Sequence, residues 1–457
     1  MSVISIIILM VSILAALTTD VLAVEIECVL VYFLCIADWR KKEGFSIYVI
    51  FLITMFVFCV SMVVGDLIDV DSIYYFEKFG ESFRFNDDVV LKTLKSVIFF
   101  LAGIVIGWEL YKKRKPSKRK NAVKFDNYAF SSTIKKPMFL LFFLLFIPAL
   151  AKSILLVTSA MMFGYVESMH LGAVLEVNPI VYYTSAVFEI YGILCLYVCR
   201  SQKEFIMIAS LYAIPTILTI FTGLRGPALI TILFLLWVYN TYYKEVKLKY
   251  WVIGGVILAL FAQMIGYYRG DDVELEQSVI QRLMSFIVNQ GESYHTISMT
   301  ILYEDSFTNK IPFFIGYIPD MFVDVENYSI DAIEQKNYLA FHLAYNAFNN
   351  AFMVGHTIGT SMIAEFYELV KGNYVFIIPC SALTMYIAAY LSDNLYKNPV
   401  VFAIGFKYLM CFLYSPRDSV GKIFTRGFLY LIIFMIIITL FYRLKKKKSN
   451  IIKIKNI

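Results

Sequence analysis

The amino-acid sequence predicts an all-α, polytopic integral membrane protein with about 12 transmembrane helices and one long extracytoplasmic loop. The chain has 457 residues, of which 60% are hydrophobic and only 17% are charged. Apolar runs of about 18–25 residues recur from end to end, and each can cross a hydrocarbon core about 30 Å thick. These runs are continuously apolar and do not alternate with a period of two. They therefore favour helices over a barrel as the spanning elements.

The candidate spans follow one another along the whole chain, which we treat as a single membrane domain over residues 1–457. They cover residues 3–18, 21–37, 45–64, 91–111, 138–157, 179–199, 205–222, 227–242, 250–267, 373–391, 400–415 and 423–442. Only Thr18-Thr19-Asp20 joins the first two, which therefore form either two helices or one bent helix. No basic residue precedes the first run, so we interpret it as a retained helix.

Basic clusters give the orientation of these spans. They lie at residues 40–42, 112–120, 135–136, 200–203, 244–249 and 443–448. Threading the twelve spans places all of these clusters on one face, which the positive-inside rule makes cytoplasmic together with both termini. The run Lys112–Lys120 is interpreted as a topology determinant that contacts anionic lipid. A nucleic-acid partner is not expected, because no aromatic residues are interleaved with this run.

The longest predicted outer loop covers residues 268–372, far more than a connector needs. Between Ser278 and Asn289, polar residues recur at steps of three and four, which predicts an amphipathic helix on or re-entering the membrane surface. A second helix is expected to start near residues 357–361 and to continue through Glu365 and Glu368 toward the next span.

Arginines in the predicted outer segments oppose the usual charge bias and need an explanation. They are Arg84, Arg225, Arg269, Arg282, Arg417 and Arg426. Guanidinium groups bind phosphate oxygens in pairs and keep their charge, so several of them at a membrane surface would suit a lipid-linked pyrophosphate. Arg225 lies between Gly223 and Gly226, where the backbone can approach a ligand closely.

Each arginine also has an ordinary interpretation. Arg225 and Arg426 can snorkel to the interface, and Arg282 can belong to the polar face of its helix. The remaining alternatives are local ion pairs: Arg84 with Glu81 or Asp87, Arg269 with Asp271 or Asp272, and Arg417 with Asp418.

Glu365 lies near the start of an apolar helix, where it can act as a general base, pair with an arginine, or remain a solvated interfacial residue. His356 and His295 are further candidate bases or sugar contacts, although lone histidines are more often structural. The patch from Asn289 to Tyr294 suits sugar binding and also suits an ordinary turn.

Motifs for nucleotide, zinc and serine-nucleophile chemistry are missing from the sequence. The adjacent acids Asp87-Asp88 and Asp271-Asp272 lack further oxygen ligands at a recognisable spacing. We therefore expect no cofactor, no metal site and a metal-independent reaction.

Four short segments resemble the Wzy-type polysaccharide polymerases. Gly223-Leu224-Arg225-Gly226 is similar to their G-x-R-G turn, and Asn289-Gln290-Gly291 is similar to a segment of their long loop. Gly359-Thr360-Ser361 with Glu365-Phe366-Tyr367 and Gly372 resembles their G-x-S…E-x-Y-x…G stretch. The run Tyr414 to Ser419 resembles the arginine turn before their final helix. Through topology, the resemblance extends over most of the chain.

The resemblance implies a GT-C-like glycosyltransferase of the bacterial inner membrane that acts in lipopolysaccharide biosynthesis. Such an enzyme joins oligosaccharide repeat units carried on undecaprenyl pyrophosphate, and its partners include a chain-length regulator and a flippase. Arg225 and Arg417 would then bind pyrophosphate with support from Arg269. Glu365, or else His356, would accept the acceptor hydroxyl proton, and Asn289 and Tyr294 would contact sugar.

Three rival functions remain at this point. An O-antigen ligase shares the lipid-pyrophosphate donor. A flippase for the lipid-linked repeat would need polar residues along a path through the bilayer midplane, whereas the spans have few charges at their centres. A membrane scaffold without chemistry would leave the outer arginines unexplained.

Overall fold

A computed structural model describes most of the chain and divides it into two compact units. The described residues are 2–40, 45–114, 128–164, 168, 171–172, 174–175, 178–223, 225–247, 249–251, 254, 279–307, 311–320, 329–424 and 432. Unit 1 consists of Met1–Lys118, Val246–Tyr390 and Cys411–Ile423. Unit 2 consists of Arg119–Glu245, Leu391–Met410 and Phe424–Ile457.

Helices dominate the described residues, and one two-stranded antiparallel sheet accompanies them. Before residue 250 the elements are α1 (Val3–Leu17), α2 (Val21–Arg40), α3 (Ile47–Leu67), β1 (Tyr75–Lys78), β2 (Glu81–Arg84), α4 (Asp87–Arg114), α5 (Tyr128–Phe163), α6 (Pro179–Val198), α7 (Gln202–Leu218) and α8 (Arg225–Tyr242). After it they are α9 (Val279–Gln290), α10 (Ser293–Leu302), α11 (Tyr317–Asp320), α12 (Ile330–Lys336), α13 (Leu339–Ala347), α14 (Asn349–Met353), α15 (Met362–Leu369), α16 (Ile377–Asn394) and α17 (Pro399–Tyr414).

The helices agree with most of the predicted spans. A helix coincides with each of the first eight spans and with the tenth and eleventh. The first two are separate helices, because α1 ends at Leu17 and α2 begins at Val21. By length and composition, six helices among the described residues can cross a membrane, and α1 and α17 are shorter apolar helices. Most of the ninth and twelfth spans lies outside the described residues.

Close packing of α4 against α16 organises part of unit 1. Gly103 and Gly107 are four residues apart on α4, the spacing that lets two membrane helices approach each other closely. A methyl group at Gly103 would lie 1.9 Å from Ser381 Oγ, and one at Gly107 would lie 2.2 Å from the Ala382 carbonyl oxygen. Glycine is therefore required at both positions by the backbone of the facing helix.

Replacing Gly107 by leucine should destabilise unit 1, because the new side chain would collide with backbone atoms that cannot rotate away. Overpacking of this kind costs about 1–3 kcal/mol or more. The matched control is Gly254→Leu, since no described atom lies within 4 Å of a methyl group at that position. Thermal unfolding of both variants in detergent measures the difference, and equal melting temperatures would contradict this packing.

A β-hairpin between α3 and α4 is an element that the sequence patterns did not predict. Its strands pair in the register Tyr75 with Arg84 and Lys78 with Glu81, and both turn residues, Phe79 and Gly80, have positive φ. That geometry is typical of a two-residue hairpin turn. Phe76 packs against the His295 ring of α10, with 5.1 Å between ring centroids. The hairpin is therefore anchored to a helix of the long predicted loop.

Helix α10 belongs to the core of unit 1, and α9 packs on α3 through Val288, which lies against Gly65. The periodicity around Ser278–Asn289 predicted a helix there, and α9 occupies Val279–Gln290. Helix α10 is buried along nearly its whole length, and Thr93 Oγ1 of α4 lies 3.0 Å from Ser298 Oγ. The hydrophobicity of α10 alone did not reveal this burial, because its inward face carries serine and threonine hydroxyls.

Unit 2 is formed by α5, α6, α7 and α8 with parts of α16 and α17. Helix α7 begins with a capping box, in which Ser201 and Glu204 satisfy each other's backbone N–H groups. Glu189 of α6 and Lys407 of α17 form an ion pair within predicted spans, where the sequence analysis emphasised the scarcity of charges. A pair of this kind is costly to break in an apolar environment.

Candidate functional site

The turn after α17 packs against the start of α15, which brings two of the predicted motifs together. The Met362 N–H donates to the Ser415 carbonyl oxygen over 2.9 Å. A methyl group at Gly359 would lie 3.2 Å from the Arg417 carbonyl oxygen. The segments Gly359–Glu365 and Ser415–Ser419 therefore form one local structure, although about fifty residues of chain separate them.

Glu365 lies in the first turn of α15, whose N-cap is Ser361. Its side chain is only 1% exposed, and Oε2 accepts a hydrogen bond from Ser419 Oγ over 2.8 Å. Among the described residues, Oε1 has no hydrogen-bond partner. Burial raises the pKa of Glu365 to about 8. The carboxyl group is therefore mostly protonated at neutral pH. Its pKa is close enough to neutrality for the group to exchange a proton with a substrate.

Arg417 holds its guanidinium beside the loop that joins α9 to α10. Its Nη2 lies 3.6 Å from Glu292 Oε2, and its Nη1 donates to the Gln290 carbonyl oxygen over 3.4 Å. The guanidinium also lies 5.6 Å from the centre of the Phe58 ring, which belongs to a π-helical turn within α3. The local ion pair of Arg417 with Asp418 is not formed in the structure, because Asp418 pairs with Lys422 over 2.6 Å.

Glu292 connects Arg417 with the β-hairpin. Its Oε1 accepts a hydrogen bond from Lys78 Nζ, so that one carboxylate lies between two cations. Burial acts to raise the pKa of Glu292, but the charges of Lys78 and Arg417 outweigh it and lower this pKa below its usual value. Glu292 is therefore ionised in this cluster, which we name the Arg417 cluster and define as Lys78, Glu292 and Arg417.

The other residues predicted for a site in unit 1 differ in exposure. Asn289 is exposed, and its amide can donate to Asp71 Oδ2 at 3.3 Å and to Ser285 O at 3.2 Å. His356 is partly exposed and packs against the Phe79 ring at 4.8 Å. Tyr294 has no exposed surface, so a ligand outside the unit does not touch it in this structure.

His295 is a buried histidine between aromatic rings. It stacks on Phe76 at 5.1 Å and on Phe85 at 5.8 Å. Burial lowers its pKa to about 4, so the imidazole is neutral at physiological pH. These contacts favour the structural interpretation of His295.

Arg225 lies in unit 2 as the first residue of α8. The preceding Gly223 has φ of 101°, a left-handed conformation that glycine adopts without strain. The Arg225 N–H donates to the Gly223 carbonyl oxygen over 3.0 Å. The side chain of Arg225 is partly exposed.

Of the remaining predicted arginines, the structure describes the side chain of Arg84 alone. Arg84 is exposed on β2, and its guanidinium lies 5.5 Å from the centre of the Tyr75 ring. Arg282 belongs to α9, but its side chain is not among those described. Arg269 and Arg426 lie outside the described residues.

Lys78 and Ser419 are site residues that the sequence patterns did not indicate. Ser419 lies within the arginine turn, and its hydroxyl donates the hydrogen bond to Glu365. Nothing in the local sequence distinguishes Lys78, because its contact with Glu292 joins residues 214 positions apart. No group of three or more His, Cys, Asp or Glu side chains within the described part of the chain is arranged to hold a metal ion.

The apolar helices define a polytopic α-helical membrane protein, in which the segment that carries Arg417 packs on the segment that carries a buried carboxyl group. The family model described as O-antigen polysaccharide polymerase Wzy matches residues 1–449. The chain therefore belongs to the Wzy O-antigen polymerase family, as the motifs indicated. Comparisons with curated proteins and with solved structures give no match.

Proposed function

We propose that this protein polymerises O-antigen by joining oligosaccharide repeat units linked to undecaprenyl pyrophosphate at the outer face of the bacterial inner membrane. Family membership supports a polymerase of the glycosyltransferase type. The observation that supports the mechanism is the packing of the Glu365 segment against the Arg417 turn, because it joins a proton-exchanging group to the chain segment that carries a cation.

In the proposed reaction, the bond between the donor sugar's anomeric carbon and the diphosphate oxygen breaks. A new bond forms from that carbon to a hydroxyl oxygen of the acceptor sugar, and the hydroxyl proton passes to a protein base. The leaving diphosphate lipid gains negative charge, which fixed cations stabilise strongly in a site of low dielectric. No metal ion is needed where guanidinium groups provide this charge.

Within this proposal Arg417 and Arg225 bind the diphosphate, and Arg269 supports them. Glu365 is the first candidate for the proton acceptor, acting in the fraction of molecules in which it is ionised, since a base works best when its pKa lies near the operating pH. Glu365 must become accessible for this role, because it is buried in this structure. His356 is the second candidate. Asn289 offers an exposed amide to sugar hydroxyls, whereas Tyr294 would need a rearrangement to do so.

The proposal also includes a GT-C-like membrane domain over residues 1–457, with both termini cytoplasmic and residues 268–372 outside. A chain-length regulator and a flippase are its proposed partners. A cysteine introduced at Gly226 should react with a maleimide that does not cross membranes, applied to intact spheroplasts. Labelling only after lysis would contradict the orientation, and with it the outer-face chemistry.

The function is tested by deleting the gene and separating the surface glycan on a gel. Loss of a polymerase leaves core carrying a single repeat. Loss of a ligase leaves bare core with polymer still on the lipid carrier, and loss of a flippase leaves repeats on the cytoplasmic side. Either of the last two results would contradict the proposal, and restoration of long glycan by the plasmid-borne gene would complete the test.

Arg225→Ala should lower the amount of long glycan in the complemented strain by about 100-fold or more, because one preorganised donor to a developing anion contributes about this much to the rate. Immunoblotting of the membrane fraction shows whether the protein is present. The matched control is Lys203→Ala, which removes an exposed cation at the start of α7 in the same unit. Full-length glycan from Arg225→Ala would refute the role of Arg225.

A further inference from the structure

The tip of the β-hairpin brings a lysine to the Arg417 cluster from a distant part of the chain. Lys78 ends β1, and aromatic contacts on both sides of it hold the hairpin in place: Phe76 packs on His295 at 5.1 Å, and Phe79 packs on Phe348 at 5.5 Å. Lys78 Nζ lies 5.7 Å from the centre of the Phe79 ring, whose other contact is His356 at 4.8 Å. The hairpin therefore holds a second cation near the predicted site residues Arg417 and His356.

The ion pair between Arg417 and Glu292 is partly exposed and long. Bonds between a guanidinium and a carboxylate are usually about 2.7–2.9 Å long. Two polar contacts of Arg417 measure 3.6 Å to Glu292 and 3.4 Å to the Gln290 carbonyl oxygen, and the Tyr414 side chain is a further hydrogen-bond partner. A guanidinium carries five N–H donors. Arg417 is 30% exposed and its contacts with Glu292 and the Gln290 carbonyl are long, so donors not engaged with Tyr414 can turn to an incoming anion.

Glu292 occupies the position that an anion between Lys78 and Arg417 would take. Its two carboxylate oxygens face the two cations, one each. Its side chain is 28% exposed, so it has a route out toward solvent. With the carboxylate in place the three side chains carry a net charge of about +1 at neutral pH, and without it the two cations present +2.

We propose that Lys78 and Arg417 together bind the diphosphate group of the lipid carrier, and that Glu292 is an internal anion which the diphosphate displaces. This inference rests on the proposed function and adds Lys78 and Glu292 to it. In the absence of substrate, Glu292 keeps the two cations together and limits their mutual repulsion. When diphosphate arrives, its oxygens replace the carboxylate between them.

In the experiment, the purified full-length protein in detergent is titrated with inorganic pyrophosphate, and binding is measured by calorimetry. Lys78→Met and Arg417→Ala should each weaken binding by about tenfold or more, the usual value of a charge-assisted hydrogen bond. Glu292→Gln should instead tighten binding about threefold or more, since it removes a competing anion. Arg84→Met is the matched control, because it removes an exposed cation from the same hairpin, and its binding should not change.

The opposite signs distinguish this inference from a structural role. If the Lys78–Glu292 pair only stabilised the fold, both substitutions would weaken binding together, and that result would overturn the proposal. Unchanged binding by Lys78→Met with weakened binding by Arg417→Ala would refute the role of Lys78 and leave the proposed function standing. Unchanged binding by Lys78→Met and by Arg417→Ala would refute both the role of Lys78 and the proposed role of Arg417 in binding diphosphate. If Lys78→Met does not fold, the response of Glu292→Gln still decides the question.

Discussion

Replacing Arg417 by alanine should reduce long O-antigen by about 100-fold or more, because it removes a fixed positive charge from the proposed diphosphate site. The guanidinium is partly exposed, and its contacts are two long polar ones, a hydrogen bond with Tyr414 and the ring of Phe58 at 5.6 Å. We expect the variant to remain in the membrane at normal levels. The measurement is the glycan ladder of a deletion strain that carries the variant gene, with an immunoblot of the membrane fraction.

Two further variants show whether the effect depends on charge or on shape. Arg417→Lys keeps the charge but loses the planar pair of donors, so we expect partial activity. Arg84→Ala removes an arginine that stacks on Tyr75 outside the Arg417 cluster, and it should leave the glycan ladder unchanged. A normal ladder from Arg417→Ala would eliminate this arginine from the mechanism, whatever the result with lysine.

Replacing Glu365 by glutamine should produce two separate effects, one on activity and one on stability. Glutamine keeps the shape of the protonated carboxyl and can still accept the Ser419 hydrogen bond. It cannot accept a substrate proton, so long glycan should decrease by about 100-fold or more, the usual contribution of a general base. Normal glycan from this variant would transfer the proposed role to His356, which His356→Gln would then test.

The effect on stability follows from the raised pKa of Glu365. Between the ordinary value of 4.5 and about 8, the unfolded chain has lost this proton while the folded chain retains it. The free energy of unfolding of the wild type therefore falls by about 1.4 kcal/mol for each pH unit in this window. Below pH 4.5, Glu365 is protonated in both the folded and the unfolded chain, so it does not destabilise the wild type relative to the glutamine variant. Above about pH 8 it is ionised in both, so this destabilisation no longer changes with pH.

Glutamine has no such proton, so Glu365→Gln should become progressively more stable than the wild type as the pH rises from 5 to 8. Thermal unfolding in detergent at several pH values measures the difference. Glu368→Gln is the control, because its carboxylate lies on the same helix and pairs with Lys371. A difference between Glu365→Gln and wild type that does not vary with pH would show that Glu365 is not buried as a neutral acid.

The Arg417 cluster also gives the β-hairpin a role in the proposed reaction. A hairpin of two four-residue strands is marginal by itself in water. Here the rings of Phe76 and Phe79 fasten it to His295, Phe348 and His356. Because the same hairpin carries Lys78, any weakening of these ring contacts should also displace that cation from Glu292.

The sequence by itself determined the class of protein and most of its spanning helices. Continuous apolar runs of sufficient length have one stable solution in a bilayer, so hydrophobicity predicts helices from α1 to α8 and again at α16 and α17. The same local reasoning found α9 from its periodicity and placed Glu365 at the start of a helix. The motifs identified the family without any tertiary information.

Only the tertiary structure decided which charges meet. The contact of Lys78 with Glu292 and that of Glu292 with Arg417 join three separate parts of the chain, and no periodicity records such a pairing. Glu365 is buried where the turn that contains Ser419 packs on it, and this burial raises its pKa although the Ser419 hydrogen bond acts to lower it. The electrostatics of a site depend on distances through space, whereas hydrophobic periodicity depends only on neighbours along the chain.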